Sequence, residues 1–586
     1  MEELGLSDNN IGDMGAAEIG QNKVWTNLKI LSLERNRISD LGASVIVDNT
    51  TWVGLEELYL YYNNISHEIS RKLEKNNAWP KMRILICFIE NQQVGDYLKG
   101  KTDTTKIIDL RSTKFSDIHA IILGRFAKSS DLEELLLYDN EIGDKGAAAI
   151  GSNTSWSKLR ILALGSNRIS DEGALAVGSN TTWVNIEELS LYNNQIGDKG
   201  AVTIGNNVTW RRLRRLFLQK NRISDEGAIA IGENKTWVRL EELCLHENDI
   251  GDKGAIAIGK NEVWTKLKKL SLSANKIGNE GAITIGSNEA WINLQELSLD
   301  ENEIGDKGAI ILGKNVTWRK LKELYLDKNR IGDYGAISIG SNGAWTDLEE
   351  LWLSENEIGD KGAAVLGNNT NLKKLRSHIL SKNKIGDEGA ISIGSNTAWT
   401  NLEELWLSEN IIGDKGAIAL GKNVAWTKLR ELSLYQNRIG DEGAIAIGSN
   451  VTWVDLEYLS LMMNEISDRG AIGIAKNTTW CKLKILLLAM NKIRVEGFTS
   501  IAENTTYTGL RELDIYHNNF NSDDEHEQVI LKAFSYHIWK DLSMATDYIA
   551  SDLKNLFKTS QTATDISLIS KALAGTYVLK SKRNRI

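Results

Sequence analysis

The hydrophobic residues of this chain recur with a period of 27 residues. The segment Ile186–Arg212 reads IEELSLYNNQIGDKGAVTIGNNVTWRR, and new copies begin at Leu213, at Leu240 and at every twenty-seventh residue up to Leu510. Copies also run back toward Met1. A unit repeated at a fixed period cannot bury its apolar face alone, so the sequence predicts a stack of about 20 copies.

Each copy contains the pattern of a short strand followed by that of a helix. Leu189 and Leu191 alternate with polar residues, which is the period of a strand with one buried face. The later segment 200–205, GAVTIG, places small and apolar residues at helical spacing. We expect Asp198 to act as the helix N-cap and Gly205 to close the helix.

Two other positions keep the same residue in most copies. The asparagine at position nine, such as Asn194, can both donate and accept, so stacked copies are expected to satisfy backbone groups at the turn. The tryptophan at position 25, such as Trp210, is predicted to lie in the core. His378 replaces a strand leucine close to Leu372, which replaces the tryptophan, and this stretch predicts either local repacking or a bend.

The full unit, LxxLxLxxNxIGDxGAxxIGxNxxWxx, resembles the leucine-rich repeats of the ribonuclease-inhibitor-like class. Segments Ser170–Trp183 and Ser224–Trp237 look most like the repeats of NOD-like receptors, and the Ran GTPase-activating protein belongs to the same class. The resemblance implies an α/β horseshoe with strands on the concave face and helices on the convex face. It covers roughly residues 1–520.

The predicted organisation is a repeat solenoid over 1–520, with degenerate repeats at 82–131, followed by a different segment at 521–586. In that last segment, Asp523–Leu542 and Ala545–Lys558 carry apolar residues at helical spacing. We expect a helical cap or tail there; a separate docking pair of helices is the alternative.

Charge, apolar content and cysteine number indicate which kinds of partner and which cellular compartment to expect. The 69 Lys and Arg residues against 78 Asp and Glu residues give a net charge of -9, which disfavours a nucleic-acid partner. No apolar run is long enough to span a membrane. The three cysteines, Cys87, Cys244 and Cys481, are odd in number and far apart, which favours a reducing compartment. With no basic and apolar leader at the start, these features predict a cytoplasmic protein.

One segment matches a nucleotide-binding pattern. Gly95–Thr102, GDYLKGKT, fits G-x-x-x-x-G-K-[ST], but a working loop needs a helix directly after it. The following residues instead fit the repeat, with Ile108 and Leu110 as strand positions. No metal-ligand or nucleophile motif stands out elsewhere. We therefore expect no enzyme activity, no metal and no cofactor.

The positions that vary between copies are the ones that can carry specificity. At position five, four consecutive copies have apolar residues where many others have serine, and they predict a partner-binding ridge: Tyr325, Trp352, Ile379 and Trp406. A second predicted cluster lies further along the chain: Tyr435, Met462 and Met463. Aromatic stacking that only stabilises the sheet is the alternative interpretation.

Charged residues at positions two and three alternate in sign along the copies. Acidic pairs such as Glu241–Glu242 and Glu349–Glu350 alternate with basic residues such as Lys268 and Arg376. Neighbouring strands lie about 4.8 Å apart, so cross-strand ion pairs and a locally neutral surface are expected.

Together these features predict a scaffold that binds a protein partner on the concave face. Two other functions remain open. One is activation of a GTPase, as the Ran-activating relative suggests, and the other is action as a host-directed effector. The fold alone does not choose among them.

Overall fold

The computed structural model describes residues 2–60, 63–74, 76, 78–82, 84–86, 105–126 and 130–519. These residues fall into two compact units that divide between Ile196 and Gly197. Each unit consists of strands of three residues that alternate with helices of about two turns. Among the described residues, no helix has the length and apolar character needed to cross a bilayer.

The first unit contains two sets of four consecutive parallel strands. Its strands are β1 (Glu3–Gly5), β2 (Ile30–Ser32), β3 (Glu57–Tyr59), β4 (Ile84–Ile86), β5 (Ile107–Asp109), β6 (Glu134–Leu136), β7 (Ile161–Ala163) and β8 (Glu188–Ser190). Its helices are α1 (Asp13–Gln21), α2 (Asp40–Val47), α3 (His67–Glu74), α4 (Asp117–Phe126), α5 (Asp144–Gly151) and α6 (Asp171–Gly178). Pairing runs in sequence order within β1–β4 and within β5–β8.

The second unit contains twelve consecutive parallel strands. They are β9 (Arg215–Phe217), β10 (Glu242–Cys244), β11 (Lys269–Ser271), β12 (Glu296–Ser298), β13 (Glu323–Tyr325), β14 (Glu350–Trp352), β15 (Ser377–Ile379), β16 (Glu404–Trp406), β17 (Glu431–Ser433), β18 (Tyr458–Ser460), β19 (Ile485–Leu487) and β20 (Glu512–Asp514). The helices are α7 (Asp198–Gly205), α8 (Asp225–Glu233), α9 (Asp252–Gly259), α10 (Asn279–Gly286), α11 (Asp306–Lys314), α12 (Asp333–Gly340), α13 (Asp360–Gly367), α14 (Asp387–Gly394), α15 (Asp414–Gly421), α16 (Asp441–Gly448), α17 (Asp468–Ala475) and α18 (Val495–Ala502).

Strand register repeats with the sequence period. Leu243 pairs with Leu216 on one side and with Leu270 on the other, each 27 residues away. Equivalent positions of successive copies therefore lie side by side. This confirms the predicted α/β solenoid of strand–helix copies for the described residues.

The core lies between the strands and the helices and has the same composition in each regular copy. In the copy that begins at Leu240, the buried apolar residues are Leu240, Leu243, Leu245, Ile250, Ala255, Ile258 and Trp264. The tryptophan at position 25 is fully buried in most copies, as the sequence predicts, and contributes the largest apolar area of each one. The indole N–H of Trp291 also donates to the Asn261 carbonyl, at 3.0 Å.

The asparagine at position nine joins consecutive copies. Asn248 Nδ2 donates to the carbonyls of Leu218, at 3.1 Å, and Leu245, at 3.0 Å. Its Oδ1 accepts a hydrogen bond from the backbone N–H of Ile223 in the preceding copy, at 3.0 Å. The same arrangement recurs along the second unit, so the expectation that this side chain satisfies turn backbone groups is confirmed.

The expectation that Asp198 is an N-cap is wrong. Helix α7 begins at Asp198 itself, and Gly197 is the N-cap without a side-chain capping bond. The carboxylate instead accepts from the backbone N–H groups of Ser224, at 2.8 Å, and Gly227, at 2.9 Å. Ser224 is the N-cap of α8, so each aspartate satisfies donors of the next helix rather than those of its own.

Gly205 does end helix α7, but for a reason other than a left-handed turn. The following residue, Asn206, has a right-handed helical conformation, and no glycine in the described residues has a positive φ. A Cβ on Gly205 would lie 2.6 Å from the carbonyl carbon of Ala230 in the next helix. Glycine therefore recurs here because adjacent helix backbones approach too closely for a side chain.

Candidate partner-binding surface

The strands of the second unit present one face to the helices and one away from them. We call the latter the outer face; it carries positions three, five and seven of each copy, because side chains alternate along a strand. Positions four and six, such as Leu324 and Leu326, are fully buried on the opposite side. The backbone of the outer face is equivalent in each copy, so only its side chains differ.

The four residues of the predicted ridge lie in one row. Tyr325 pairs with Trp352, Trp352 with Ile379, and Ile379 with Trp406 across β13–β16. We call this row the aromatic ridge. At the same position, the preceding strands carry Ser271 and Ser298, and the next strand carries Ser433.

Contacts within the ridge are close at one end. The rings of Tyr325 and Trp352 meet edge to face, with centroids 4.7 Å apart and planes inclined by 64°. This geometry is favourable for an aromatic pair. The Trp352 indole N–H donates to Ser377 Oγ at 3.2 Å, which fixes the ring against the neighbouring strand.

Exposure is uneven along the ridge. Ile379 is only 9% exposed, Trp352 is half-buried, and Trp406 is 39% exposed. In the sheet register Ile379 lies between the two tryptophans. The ridge therefore has one exposed indole, at Trp406, and one partly exposed indole, at Trp352. Ile379 lies between them and is nearly buried.

The second predicted cluster lies at the ends of the next strands. Tyr435 and Met462 both occupy position seven, and Met463 follows at position eight; all three are half-buried. Met463 has a φ of 52°, in the left-handed region that position eight adopts in most of the described copies. This cluster belongs to copies adjacent to the ridge, at its β17–β18 side.

Position two carries the predicted cross-strand ion pairs. Glu241 lies between two cations, with Arg214 Nε at 2.8 Å and Lys268 Nζ at 2.7 Å. Further along, Lys322 pairs with Glu349 at 3.0 Å and Arg376 with Glu403 at 3.1 Å. Hydrogen bonding to Arg214 contributes most to lowering the Glu241 pKa to about 2, so the Glu241 carboxylate is charged at neutral pH.

Position three does not follow this pattern, so the expectation of a locally neutral surface is wrong there. Lys269 pairs with Glu296 at 2.7 Å, but the succeeding copies supply carboxylates without an intervening base. We call these residues the acidic row: Glu323, Glu350, Glu404 and Glu431. Among the described residues, none of the four forms an ion pair within 4 Å. The sequence does contain this run of glutamates at position three, but it is apparent only when positions two and three are considered separately.

Hydrogen bonds connect the acidic row to the ridge. The Tyr325 hydroxyl lies 2.9 Å from Glu323 Oε2 and 2.8 Å from Glu350 Oε2. A phenol has one proton to donate, so it serves the two carboxylates alternately. Burial, followed by repulsion from neighbouring glutamates, raises the pKa of Glu323, and the same causes raise the pKa of Glu431.

His378 is a buried departure from the repeat rather than part of the outer face. It is fully buried at a position held by leucine in its neighbours, and its Nδ1 lies 3.0 Å from the Leu351 carbonyl oxygen. Its ring meets Trp399 edge to face at 5.4 Å. Burial lowers its pKa to about 4, so the imidazole is neutral at physiological pH.

The nucleotide-loop match at Gly95–Thr102 and the C-terminal segment 521–586 both lie outside the described residues. Within the described residues, no group of three His, Cys, Asp or Glu side chains is arranged to hold a metal ion.

Comparison with known families gives one consistent match. A family model described as Leucine Rich repeat matches fifteen segments that together cover more than half of the chain: 1–20, 26–47, 128–151, 157–178, 184–205, 212–232, 240–259, 265–286, 292–313, 319–340, 346–367, 368–394, 400–421, 427–448 and 455–475. A comparison with curated proteins finds no match.

Several solved structures are similar over much of their length. A crystal structure of an internalin from Listeria monocytogenes is 22% identical, with 58% of this chain and 84% of that chain covered and a TM-score of 0.44. The Arabidopsis receptor kinase HAESA, in complex with the peptide hormone IDA and the co-receptor SERK1, is 19% identical over 89% and 83% of the two chains, with a TM-score of 0.44. A PEPR1–AtPEP1 structure is 19% identical over 92% and 79%, with a TM-score of 0.41.

Proposed function

This chain belongs to the leucine-rich repeat family, and on that premise we propose that it is a binding protein whose outer face recognises a protein partner. The aromatic ridge is the proposed anchor. The observation that carries the proposal is that Trp406 is 39% exposed within an in-register row, on a face where neighbouring strands carry small buried side chains. Tryptophan and tyrosine dominate the energetics of protein interfaces because they bury a large area with few rotatable bonds.

We propose recognition rather than catalysis because the recurrent polar residues already serve the backbone. The Asp306 carboxylate, for example, accepts from the N–H groups of Gly332 and Gly335, both at 2.8 Å. Asn329 is bonded to the carbonyls of Leu299 and Leu326. Polar groups engaged in this way hold consecutive copies together and are unavailable to act on a substrate.

We further propose that the copies belong to the ribonuclease-inhibitor-like subclass, whose strands line a concave face. The 27-residue unit and the GAxxIG helix pattern support this assignment. In that arrangement the outer face would be the concave one, and the ridge would contact a partner that enters the curve. The clusters at Tyr435, Met462 and Met463 would extend the contact toward β18.

We also propose a reducing, cytoplasmic location. Cys244 and Cys481 are free thiols, and Cys244 is buried on β10. Burial raises the pKa of the Cys244 thiol to about 12, which keeps it protonated and unreactive.

The experiment compares partner capture by wild-type protein and by the double variant Trp352→Ser, Trp406→Ser. Proteins from cells that express the chain are captured on each and identified by mass spectrometry. The matched control, Val316→Ser with Val424→Ser, removes two exposed apolar side chains outside the sheet, which are 58% and 64% exposed. We expect the wild type and the control to retain the same partner, and the ridge variant to lose it.

Retention of the same partner by the ridge variant, with wild-type yield, would contradict the proposal. Circular dichroism on all three proteins establishes that the variants are folded. Because both ridge substitutions are on the outer face, we expect the three spectra to superpose.

A further inference from the structure

The acidic row and the aromatic ridge occupy one continuous part of the outer face. Glu323 and Tyr325 lie two residues apart on β13, as do Glu350 and Trp352 on β14 and Glu404 and Trp406 on β16. Residues two apart on a strand point to the same side, about 7 Å from each other. Each carboxylate of these three strands is therefore adjacent to an aromatic ring.

Within the described residues, no basic side chain lies within 4 Å of the four carboxylates of the acidic row, although Lys269 and Arg430 act on Glu323 and Glu431 from a greater distance. Lys269 neutralises Glu296 on the β11–β12 side. Beyond that pair, the basic residues of β13–β17 stand at position two and bind position-two carboxylates instead, as Lys322 does with Glu349 and Arg430 with Glu457. Within the described residues, the side-chain hydrogen bonds to the acidic row come from hydroxyl groups, such as Ser377 Oγ, which donates to Glu404 Oε2 at 2.9 Å.

Ionisation is disfavoured at two positions of the acidic row, and a bound cation would relieve this. Burial and, after it, the neighbouring carboxylates raise the pKa of Glu323 and of Glu431. A positive group beside the row would remove that repulsion. A face that attracts positive charge also steers a basic partner toward it.

The adjoining indoles favour the same class of ligand. An arginine or lysine over the face of tryptophan is attracted by the ring quadrupole, and a guanidinium can stack on the ring while its N–H groups reach a carboxylate. Trp406, with 39% of its surface exposed, lies two residues from Glu404 on β16, and Glu431 lies beside Glu404 on the next strand. An aromatic and a carboxylate in one place therefore select for arginine in particular.

We propose that the partner segment recognised by the ridge is an extended, arginine-rich peptide segment of another protein, which crosses β13–β17 with its basic side chains on the acidic row. This inference rests on the proposed function, recognition of a protein partner by the outer face, and specifies that the recognised segment is rich in arginine. The row extends over four strand spacings, about 19 Å, which an extended chain of roughly six residues spans.

The test measures binding of three fluorescein-labelled peptides of about eight residues to the full chain by fluorescence anisotropy. One alternates arginine and leucine, the second has glutamate in place of arginine, and the third has serine. The variant under test replaces Glu323, Glu350, Glu404 and Glu431 with glutamine, which removes charge without changing shape. The control replaces four exposed glutamates of the helix side with glutamine: Glu226, Glu262, Glu280 and Glu289.

We expect the arginine peptide to bind wild-type protein and the control with affinities within about twofold of each other, and the acidic-row variant at least roughly tenfold more weakly. We expect the affinity to fall as salt rises from about 0.05 M to about 0.5 M. The serine and glutamate peptides should bind at least about tenfold more weakly than the arginine peptide.

Three results would overturn the inference. The first is that the arginine peptide does not bind wild-type protein. The second is that the arginine peptide binds the acidic-row variant and the control variant with equal affinity. The third is that the serine or glutamate peptide binds wild-type protein as tightly as the arginine peptide does. Binding of the partner captured in the earlier experiment to the acidic-row variant and to the ridge variant distinguishes failure of this inference from failure of the proposed function. Retention of that partner by the acidic-row variant, together with its loss by the ridge variant, contradicts only the inference.

The chain has one basic segment of its own that must be distinguished from a partner. Residues 580–586 read KSKRNRI. A further variant replaces their four basic residues with serine. An unchanged affinity for the arginine peptide supports a partner in trans; an affinity at least about tenfold higher would assign the row to this segment and overturn the partner assignment.

Discussion

Strands β10–β12 and strands β13–β16 have the same backbone and, apart from Leu372 and His378, the same pattern of core residues, but different outer faces. Leu243 in the first group and Leu324 in the second are both fully buried at position four. At position five the first group has Cys244, Ser271 and Ser298, each less than 7% exposed. The second group has the four residues of the aromatic ridge. Since the backbone pairing is the same and the interior departs from the repeat only at Leu372 and His378, the change at position five on all four strands is not required by the fold.

This comparison shows why the outer face is free to vary. The asparagine at position nine, the aspartate at position 13 and the glycine at position 20 satisfy the backbone and the close helix contacts in both groups. Stability then depends on each copy and its neighbours, as in other repeat proteins. Outer side chains can change with little effect on that stability.

The largest effect is expected from loss of the position-nine asparagine, and it should be equal in the two groups. Asn248→Ala and Asn356→Ala each leave three carbonyl groups and one isoleucine N–H without their side-chain partner. We expect each to reduce the free energy of unfolding by about 3 kcal/mol or more. Guanidinium denaturation measures both, with hydrogen exchange to locate the weakened copies.

A cost of less than about 1 kcal/mol at either position, or a large difference between the two, would show that the backbone of the two groups is not equivalent. Lys328→Ala, at an exposed side chain of position eight, is the control and should have little effect.

An effect of intermediate size is expected at His378, where the ridge group departs from the repeat. His378→Leu restores the core residue of the neighbouring strands and removes a buried Nε2 that has no hydrogen-bond partner in the described residues. We expect the variant to be more stable by about 1 kcal/mol at pH 7.5.

The same variant should also remove a pH dependence. The unfolded imidazole binds a proton below about 6.5, but burial lowers the folded pKa to about 4, so protons favour the unfolded state between these values. Wild-type stability should therefore decrease relative to the variant by on the order of 3 kcal/mol as pH falls through that window. A stability difference that stays constant from pH 7.5 to pH 4 would contradict a neutral buried histidine.

The smallest effect on stability is expected for the ridge tryptophans. Trp406→Ser removes a side chain that is 39% exposed, and we expect it to change the free energy of unfolding by no more than about 1 kcal/mol. Ser433→Trp introduces the opposite change at the next strand and is the matched comparison. Loss of several kcal/mol on Trp406→Ser would favour the alternative that the ridge exists to stabilise the sheet.

Much of the fold could be predicted because the residues that form the strand, the core and the turn recur at the same positions in most copies. The strand at Leu189–Leu191, the buried Trp210 and the bridging asparagines follow from periodicity alone. The roles of Asp198 and Gly205 were misassigned because both side-chain positions act on the next helix, and a single copy cannot indicate a contact with its neighbour. The acidic row was missed for a related reason. Its four glutamates are 27 or more residues apart in the sequence, and they form a row only when position three is compared across successive strands.

The candidate site was predicted less completely than the fold. The alignment of Tyr325, Trp352, Ile379 and Trp406 follows from the register, but their accessibility does not. Ile379 is nearly buried between its neighbours, and Trp352 is held by Ser377, whereas Trp406 remains exposed. These differences depend on side-chain packing across strands, which the position in the repeat does not determine.

The most direct test of the account removes whole copies from each group and measures binding of the partner captured by wild-type protein. One deletion removes residues 240–320, with strands β10–β12, and the other removes residues 348–428, with strands β14–β16 and the two ridge tryptophans; each takes out three complete copies and rejoins the chain in register. The account predicts that both proteins fold with similar helical content, that the first retains the partner, and that the second loses it. Retention after deletion of 348–428, or equal loss in both, would contradict the claim that recognition resides on the outer face of the ridge strands.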